Sequence, residues 1–415
     1  MPSKLYPRLT LALLTGLNVL NYVDRAVLFG VQPLIQKEFL LNDVQLGRLN
    51  SAFFLSYLLA APFVGRLGDR YARHRIVAIG IFIWSGFTLL SGITHTYNEL
   101  LFRHIMVGIG EASYAVIAPT LIADSFSIER RGRMLSIFNL ALPFGTAMGI
   151  VLGGKMGVLF GWRTPFMVAG IPGFLLALML WALPEPERGK TDVITVSEVR
   201  STLPGLLHNG AFVTATLGLA MYTFALGGLQ QWMPTFLYRV RNIPLDKATL
   251  IFGAMTGATA ILATLSGGWL GDMMLKRRRG AYYTLSGVAM LAAVPLMIVA
   301  IYLTGRPMYP AMCVAEFFLL LNTGPLNAAI VNSVSAQIRS TALAINVVVI
   351  HLLGDVPSPS IIGWISDKTS SLQTGFWVTF IAAALSGVIL IYGSRYAPSL
   401  KAEKVSSVSS AKESL

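Results

Sequence analysis

The sequence predicts an all-α integral membrane protein with twelve transmembrane helices, arranged as two pseudo-symmetric halves of six helices each. Hydrophobic residues make up 54% of the 415 residues and charged residues only 12%, with a mean hydropathy of +0.66. Most of such a chain cannot face water. Twelve apolar stretches each supply the roughly 20 residues that cross a bilayer as a helix. Their centres lie near Leu20, Leu55, Phe82, Ile109, Ala141, Leu175, Phe224, Ala260, Ala289, Phe318, Val348 and Ala383.

The longest polar interval between these stretches divides the chain into two groups of six. It runs from Pro184 to Asn209 and contains the string PEPERGKTD. We therefore predict an N-terminal six-helix bundle over residues 1–183 and a cytoplasmic linker over 184–209. A C-terminal six-helix bundle follows over 210–397, and a disordered cytoplasmic tail over 398–415.

The net charge of +13 is explained by membrane topology. If the N-terminus is cytoplasmic, roughly two thirds of the Lys and Arg residues fall on cytoplasmic ends and tails, which is the positive-inside pattern. This distribution argues against nucleic-acid binding and predicts cytoplasmic termini and contact with membrane lipids. The single cysteine, Cys313, excludes an intramolecular disulfide and a cysteine-based metal site. We expect no metal and no other cofactor.

One loop occurs twice, after the second and after the eighth stretch. The copies read GRLGDRYARHR and GWLGDMMLKRRR, and their aspartates stand about half a chain length apart, which indicates an internal duplication. Glycine permits close helix contact, aspartate can accept hydrogen bonds from a neighbouring helix N-terminus, and arginine can bind acidic partners. We predict that the two loops form a conformational latch with the key residues Gly65, Asp69, Arg70, Arg73, Gly268 and Asp272; a plain topology loop is the alternative for each copy. Met273 replaces a basic residue, which should weaken the second copy.

Two stripes of glycine at a spacing of four residues predict tight helix contacts. Gly145, Gly149 and Gly153 form the stripe in the fifth helix, and Gly253 and Gly257 form the one in the eighth. Because residues four apart share one face of a helix, each stripe presents a smooth surface to a neighbour.

Charged side chains also occur inside the apolar stretches. The carboxylates are Asp24, Glu111, Glu316 and Asp355, and the basic groups are Arg25, Arg103, His104 and His351. Because a charge at the bilayer centre costs about 2.5 to 3.5 kcal/mol, these groups should face a bundle interior or a watery cavity. Asp24 and Arg25 are adjacent and point about 100° apart, so each needs a partner on another helix.

Four separate strings resemble the Spinster branch of the major facilitator superfamily: NYVDR (21–25), GEASYAVIAPTLIADSF (110–126), RGRMLSIFN (131–139) and the long run that begins NTGPLNAAIVNS (322–363). The first of the two loops also resembles the superfamily's signature loop. The resemblance implies that helices one and four are neighbours, so Arg25 can meet Glu111. Asp24 or Glu111 would carry a coupling proton with Arg25 as the switching partner. A permanent structural ion pair is the alternative.

The same resemblance implies a function. We expect a monomeric, proton-coupled secondary transporter of the bacterial inner membrane that works by alternating access on amphipathic lipids such as lysophospholipids or sphingosine phosphates. Transporters of small organic anions such as sugar acids, and multidrug efflux pumps, are the alternatives. The sequence has no recognisable nucleophile elbow or HExxH motif, so enzymatic activity is not expected. A receptor without transport activity would be expected to lose the buried charges.

Further residues are candidates for the substrate cavity. The family usually has an arginine seven residues before the glutamate of helix four, where this chain has His104, with Arg103 one place earlier. Either residue could serve the cavity, because one step turns a side chain by about 100°. A lipid tail needs an apolar wall, although aromatic residues at helical spacing also pack cores. The remaining candidates are Arg25, whose charge could bind a lipid head group, and Tyr57, Tyr114, Tyr222, Gln230, Trp232, Glu316, Asn322 and His351.

Overall fold

The computed structural model of the chain describes residues 6–186, 203–334 and 338–398. Residues 187–202 of the predicted linker and residues 399–415 of the predicted tail lie outside the described residues. Seven helices occupy the first described range: α1 Tyr6–Phe39, α2 Asp43–Arg70, α3 Arg73–Ser91, α4 Tyr97–Ser125, α5 Ile128–Asn139, α6 Ala141–Phe160 and α7 Arg163–Ala182.

The remaining described ranges contain ten more α-helices. They are α8 Leu203–Leu207, α9 Gly210–Arg239, α10 Leu245–Leu275, α11 Ala281–Tyr302, α12 Met308–Leu320, α13 Thr323–Asn332, α14 Arg339–Ile350, α15 Ser358–Thr369, α16 Leu372–Gly375 and α17 Trp377–Gly393. A π-helical turn, His351–Asp355, lies between α14 and α15, and a 3₁₀ turn, Ser394–Tyr396, follows α17.

Across the described ranges, twelve helical segments are long and apolar enough to cross a bilayer. The predicted fold class is therefore confirmed. Four of the twelve segments are interrupted, including the fifth at Leu140 between α5 and α6 and the twelfth at Phe376 between α16 and α17. The tenth breaks at Asn322 between α12 and α13, and the eleventh contains the π-helical turn ahead of Pro357. Such irregular turns inside a helix are often found near functional sites.

The structure contains two compact units. Unit 1 comprises Met1–Val196, Leu226–Ala258 and Asp355–Thr379, and unit 2 comprises the other segments, Ser197–Ala225, Thr259–Gly354 and Phe380–Leu415. Unit 1 thus contains the predicted N-terminal bundle together with parts of α9 and α10 and with α15. The predicted halves are separated by the linker at residues 184–209, whereas the two compact units are defined by their internal contacts. The division into halves stays a prediction.

The glycine stripes pack as predicted. A Cβ atom added to Gly145, Gly149 or Gly153 of α6 would lie only 2.5 to 2.6 Å from a carbonyl oxygen of α1. Gly253 of α10 similarly meets the backbone of α6 at Ala147. Only the missing side chains let these helices approach so closely. The stripe in α6 therefore sets the position of α1, which carries Asp24 and Arg25.

Hydrogen bonds fix α1 along its length against α4 and α5. The Asn18 amide donates to the Phe138 carbonyl at 2.9 Å, and the Tyr114 hydroxyl donates to the Leu14 carbonyl. Between α2 and α4, the Ser56 hydroxyl donates to the Ile105 carbonyl at 2.9 Å. Because buried polar groups are strongly held by such bonds, the register of α1, α2 and α4 is well defined. This register brings the charged residues of α1 opposite those of α4.

Candidate functional site

Arg25 and Glu111 form an ion pair in the interior of unit 1. The Arg25 Nε atom lies 2.6 Å from Glu111 Oε2, and the exposed fractions of the two side chains are 15% and 0%. The predicted contact between α1 and α4 is therefore present. A buried charge that keeps its partner is tolerated, whereas loss of one partner leaves the other uncompensated. The roles proposed for the two residues stay predictions.

Four aromatic rings surround the guanidinium group of Arg25. Its central carbon lies 5.0 to 5.8 Å from the centroids of Tyr22, Phe53, Phe54 and Tyr57. A guanidinium group is planar and weakly hydrated, so it can leave water and be held by ring faces. The sequence suggested Tyr57 of α2 as a residue of the substrate cavity. In the structure its ring and the other three hold the arginine.

Asp24 lies beside this pair and is only 6% exposed. Its Oδ2 atom accepts a hydrogen bond of 3.3 Å from the Thr88 hydroxyl, while Oδ1 is buried without a hydrogen-bond partner. A cavity of about 20 Å³ adjoins it, which is enough for one water molecule. The lining residues are Asp24, Arg25, Leu28, Asn50, Phe53, Thr88, Ser91, His104, Val107 and Phe166. One carboxylate oxygen therefore has room to bind a proton or a water.

The structure separates the two candidates at the start of α4. His104 lines the cavity beside Asp24, and its Nδ1 atom donates to the Leu100 carbonyl at 3.0 Å. Arg103 instead reaches the turn between α3 and α4, where it donates to Thr94 Oγ1 at 2.6 Å and to the Leu90 carbonyl. The one-residue offset thus turns the arginine away from Asp24. The geometry does not support Arg103 as a cavity residue.

The other predicted cavity residues of unit 1 have packing contacts. Tyr114 is buried edge-on against Trp84, and its hydroxyl bonds to α1. Trp232 is fully buried and donates to the Pro359 carbonyl at 3.1 Å. Gln230 is half-buried on α9. For both aromatic residues the structure favours the core-packing alternative over contact with substrate.

Four predicted cavity residues belong to unit 2. The Tyr222 hydroxyl lies 3.4 Å from Thr323 Oγ1, next to the break between α12 and α13. At this break the Asn322 amide donates to the Leu319 carbonyl at 3.0 Å, so it replaces missing backbone bonds. Glu316 is half-buried on α12, and His351 is half-buried in the π-helical turn. A cavity role for these four residues stays a prediction.

Arg73 is the best-connected residue of the first repeated loop. Its guanidinium group lies 2.6 Å from the Asp124 carboxylate of α4 and 2.9 Å from the Glu185 carboxylate after α7. Gly65, Asp69 and Arg73 line a cavity of about 230 Å³ at this end of α2, and Arg70 is exposed. The arginine finds acidic partners as predicted, within unit 1. The function of the loop as a latch stays a prediction.

The second repeated loop has a different contact. Asp272 accepts a hydrogen bond of 2.7 Å from the Tyr282 hydroxyl, and the same tyrosine ring packs against Gly271. Gly268 has open space around it. The two copies of the loop therefore share a sequence but not an environment, because one packs inside unit 1 and the other inside unit 2.

Sequence reasoning missed a second charged cluster, which lies at the α1–α2 end of unit 1. Asp43, the first residue of α2, pairs with Arg239, the last residue of α9. Asp367 of α15 binds the backbone of the same α2 terminus. No sequence signal marks this cluster, since its members stand 196 and 324 positions apart and each resembles an ordinary helix-end charge.

Comparisons with known proteins identify the relatives of this chain. Residues 14–356 match the Major Facilitator Superfamily profile. Protein spinster homolog 1 of Xenopus laevis is 36% identical over 388 residues, which cover 88% of this chain and 73% of that protein. A sphingosine-1-phosphate transporter of Xenopus tropicalis is 34% identical over 380 residues, covering 87% of this chain and 74% of that protein.

A solved structure supports the same assignment. A bacterial homologue of the human lysosomal transporter Spinster, in an inward-facing and unoccupied conformation, is 25% identical with a TM-score of 0.81. The match covers 95% of this chain and 96% of that one. Together with twelve membrane-spanning segments in the described residues, these similarities show an integral membrane transporter. The chain therefore belongs to the major facilitator superfamily and, within it, to the Spinster family.

Proposed function

We propose that the protein is a proton-coupled secondary transporter that moves an amphipathic anionic lipid, of the lysophospholipid or sphingosine-phosphate type, by alternating access. Asp24 carries the coupling proton. The observation that carries this proposal is the unpartnered, buried Oδ1 atom of Asp24 beside the Arg25–Glu111 ion pair.

The charge balance of the site explains why a proton would bind there. Ionised Asp24 and Glu111 together with Arg25 give one net negative charge in a largely buried place. One proton on a carboxylate makes the group of three neutral, which burial favours. Removal of that proton leaves two carboxylates to compete for one guanidinium. A change of partner by Arg25 then shifts α1 relative to α4, which couples the proton to a conformational change.

The lipid substrate is supported by the relatives and by one property of the site. A relative that is 34% identical is named a sphingosine-1-phosphate transporter. A phosphate head group needs a cation, and the side chain of Arg25 is 15% exposed. Guanidinium groups bind phosphate oxygens in a fork geometry. A lysophospholipid and a sphingosine phosphate share this head-group chemistry.

Flux into proteoliposomes tests both parts of the proposal. A lysophospholipid, a sphingosine phosphate and a sugar acid are each offered with and without a pH gradient. We expect gradient-dependent uptake of at least one of the lipids by the wild-type protein. Uptake of the sugar acid alone would reject the lipid assignment and favour a transporter of small organic anions.

Substitutions then identify the proton-binding group. Asp24→Asn keeps the shape of the side chain but cannot titrate, so uptake by this variant should lose its response to the pH gradient. Glu111→Gln serves as the comparison, because it removes the partner of Arg25 and leaves Asp24 able to titrate. If both variants fold and transport with an unchanged proton dependence, Asp24 and Glu111 do not carry the coupling proton.

The orientation follows from the charge pattern. Because Lys and Arg concentrate on the side that holds the N-terminus, we propose that both termini are cytoplasmic and that the protein works as a monomer in a bacterial inner membrane. Modification of single cysteines by a membrane-impermeant reagent, in cells, tests the orientation. Labelling of a terminal cysteine from outside intact cells would reject it.

A further inference from the structure

The carboxylate of Asp43 is saturated with hydrogen bonds at the α1–α2 end of unit 1, although the residue is only 3% exposed. Oδ1 accepts from Arg239 Nη1 at 2.5 Å and from Gln36 Nε2 at 2.8 Å. Oδ2 accepts from Arg239 Nη2 at 2.9 Å and from the Ser366 hydroxyl at 2.5 Å. Forked pairing of arginine with a carboxylate is among the strongest polar contacts in proteins. These bonds tie α2 to α9 and α15.

Asp367 of α15 caps the N-terminus of α2. Its two oxygens accept the backbone N–H groups of Asp43 and Val44 at 2.8 and 2.9 Å. The next N–H, of Gln45, is bonded by the Asn42 side chain, and the helical bonds begin at Leu46. The first N–H groups of a helix have no partner within it, and the helix dipole favours an anion there. Two of the three free donors of α2 are therefore satisfied by a residue more than 300 positions away.

Close backbone packing accompanies these polar contacts. A Cβ on Gly363 would collide with the Asp43 carbonyl, and one on Gly47 would collide with the Pro359 carbonyl. The hydroxyl oxygens of Ser51 and Ser360 lie 2.7 Å apart. α2 and α15 are thus held together along several turns, with charges at one end and small residues behind them.

We infer that Asp43, Arg239 and Asp367, which we call the Asp43 gate, close this end of the transporter and must separate in each transport cycle. Alternating access requires that helices from the two halves of the sequence part at one end while they close at the other. α2 belongs to the first half, and α9 and α15 belong to the second. Any opening at the α1–α2 end breaks the bonds to Asp43 and removes the cap from α2.

The Asp43 gate resembles the chemistry predicted for the repeated loop at the other end of α2. In that loop Asp69, the last residue but one of α2, is predicted to bind a neighbouring helix N-terminus, whereas here Asp367 binds the N-terminus of α2 itself. An aspartate opposite a helix terminus is suited to a gate, because the cap can be exchanged for water at moderate cost when the helices separate. The inference depends on the transporter class and not on the proposed proton or substrate.

Pulsed electron–electron spectroscopy measures this opening directly. Spin labels are placed on cysteines introduced at Leu40, which is 89% exposed, and at Lys247, which is exposed on α10, after Cys313→Ser. The purified full chain in nanodiscs should give one dominant distance. Arg239→Gln and Asp367→Asn should each raise the share of a second, longer distance by about tenfold or more, since each loses hydrogen bonds to a charged group.

A matched control lies at the same end of the molecule. Glu38 and Arg163 form an ion pair of 2.6 Å, but they join α1 to α7 within the first half of the sequence. Glu38→Gln should therefore leave the distance distribution unchanged. If the gate variants remain monodisperse and give the wild-type distribution, or if Glu38→Gln shifts it equally, the Asp43 gate is rejected. If Arg239→Gln fails to fold, the milder variant Asp367→Asn tests the Asp43 gate by itself.

Discussion

Two carboxylate–guanidinium pairs in unit 1 differ in how completely they are bonded. The Asp43 carboxylate accepts four hydrogen bonds, two on each oxygen. Around Arg25, one oxygen of Glu111 and one oxygen of Asp24 stay buried without a partner, and aromatic rings replace polar contacts. The saturated pair holds helices together until it breaks as a whole. For the unsaturated pair we propose that Arg25 changes its pairing with the protonation of the two carboxylates.

The largest effect should come from removal of both carboxylates beside Arg25. In the double variant Asp24→Asn with Glu111→Gln, the guanidinium keeps only neutral neighbours, and a buried charge without an opposite charge costs about 3 to 5 kcal/mol. In Glu111→Gln alone, Asp24 still supplies a negative charge to the site, so the free energy of unfolding should fall less. Unfolding in detergent measures both. Equal stability of the single and double variants would contradict the idea that the two carboxylates share Arg25.

Removal of the Asp43 carboxylate should lower the free energy of unfolding by less than the double variant at Arg25 does. In Asp43→Asn the side chain keeps one acceptor oxygen, and Arg239, whose side chain is 31% exposed, can turn to water. Loss of hydrogen bonds to a charged group should lower the free energy of unfolding by about 1.5 to 3 kcal/mol. The same unfolding assay applies. A loss as large as that of the double variant at Arg25 would remove the distinction between the two sites.

Replacement of each arginine by lysine should distinguish the site around Arg25 from the site around Asp43. Arg25→Lys loses the planar contact with the aromatic rings, which should cost about 0.5 to 2 kcal/mol. Arg239→Lys loses one arm of the forked pair and should cost about 1 kcal/mol. Only Arg25→Lys should change the pH dependence of uptake, because only Arg25 neighbours a carboxylate with a free oxygen. An altered pH dependence in Arg239→Lys would contradict this assignment.

The smallest expected effect concerns Thr88. Its hydroxyl donates to Asp24 and so stabilises the ionised carboxylate. Thr88→Val removes the donor with little change in volume, so the midpoint of the pH dependence of uptake should move upward by about half a pH unit. Ser91→Ala, at a residue whose hydroxyl donates to the Phe87 carbonyl, is the control. A shift in the control alone would argue against Asp24 as the titrating group.

The contact of Arg25 with Glu111 was predictable, because buried charges need partners and the resemblance makes helices one and four neighbours. The rings around Arg25 were not, since an aromatic residue at helical spacing is equally consistent with core packing. His104 and Arg103 could not be distinguished in the sequence either. Their difference is one step around a helix, and its direction depends on how α4 is rotated in the bundle.

The sequence by itself determined the number of membrane-spanning segments, the need for buried charges to face inward and the positions of the glycine stripes. These properties depend on composition and helical period, which are local. Tertiary structure alone decided which oxygen of Asp24 stays unpartnered and which residues meet Asp43. The reason is distance along the chain. Arg239 and Asp367 stand 196 and 324 positions from the residues they bind, and only packing of whole helices brings them together.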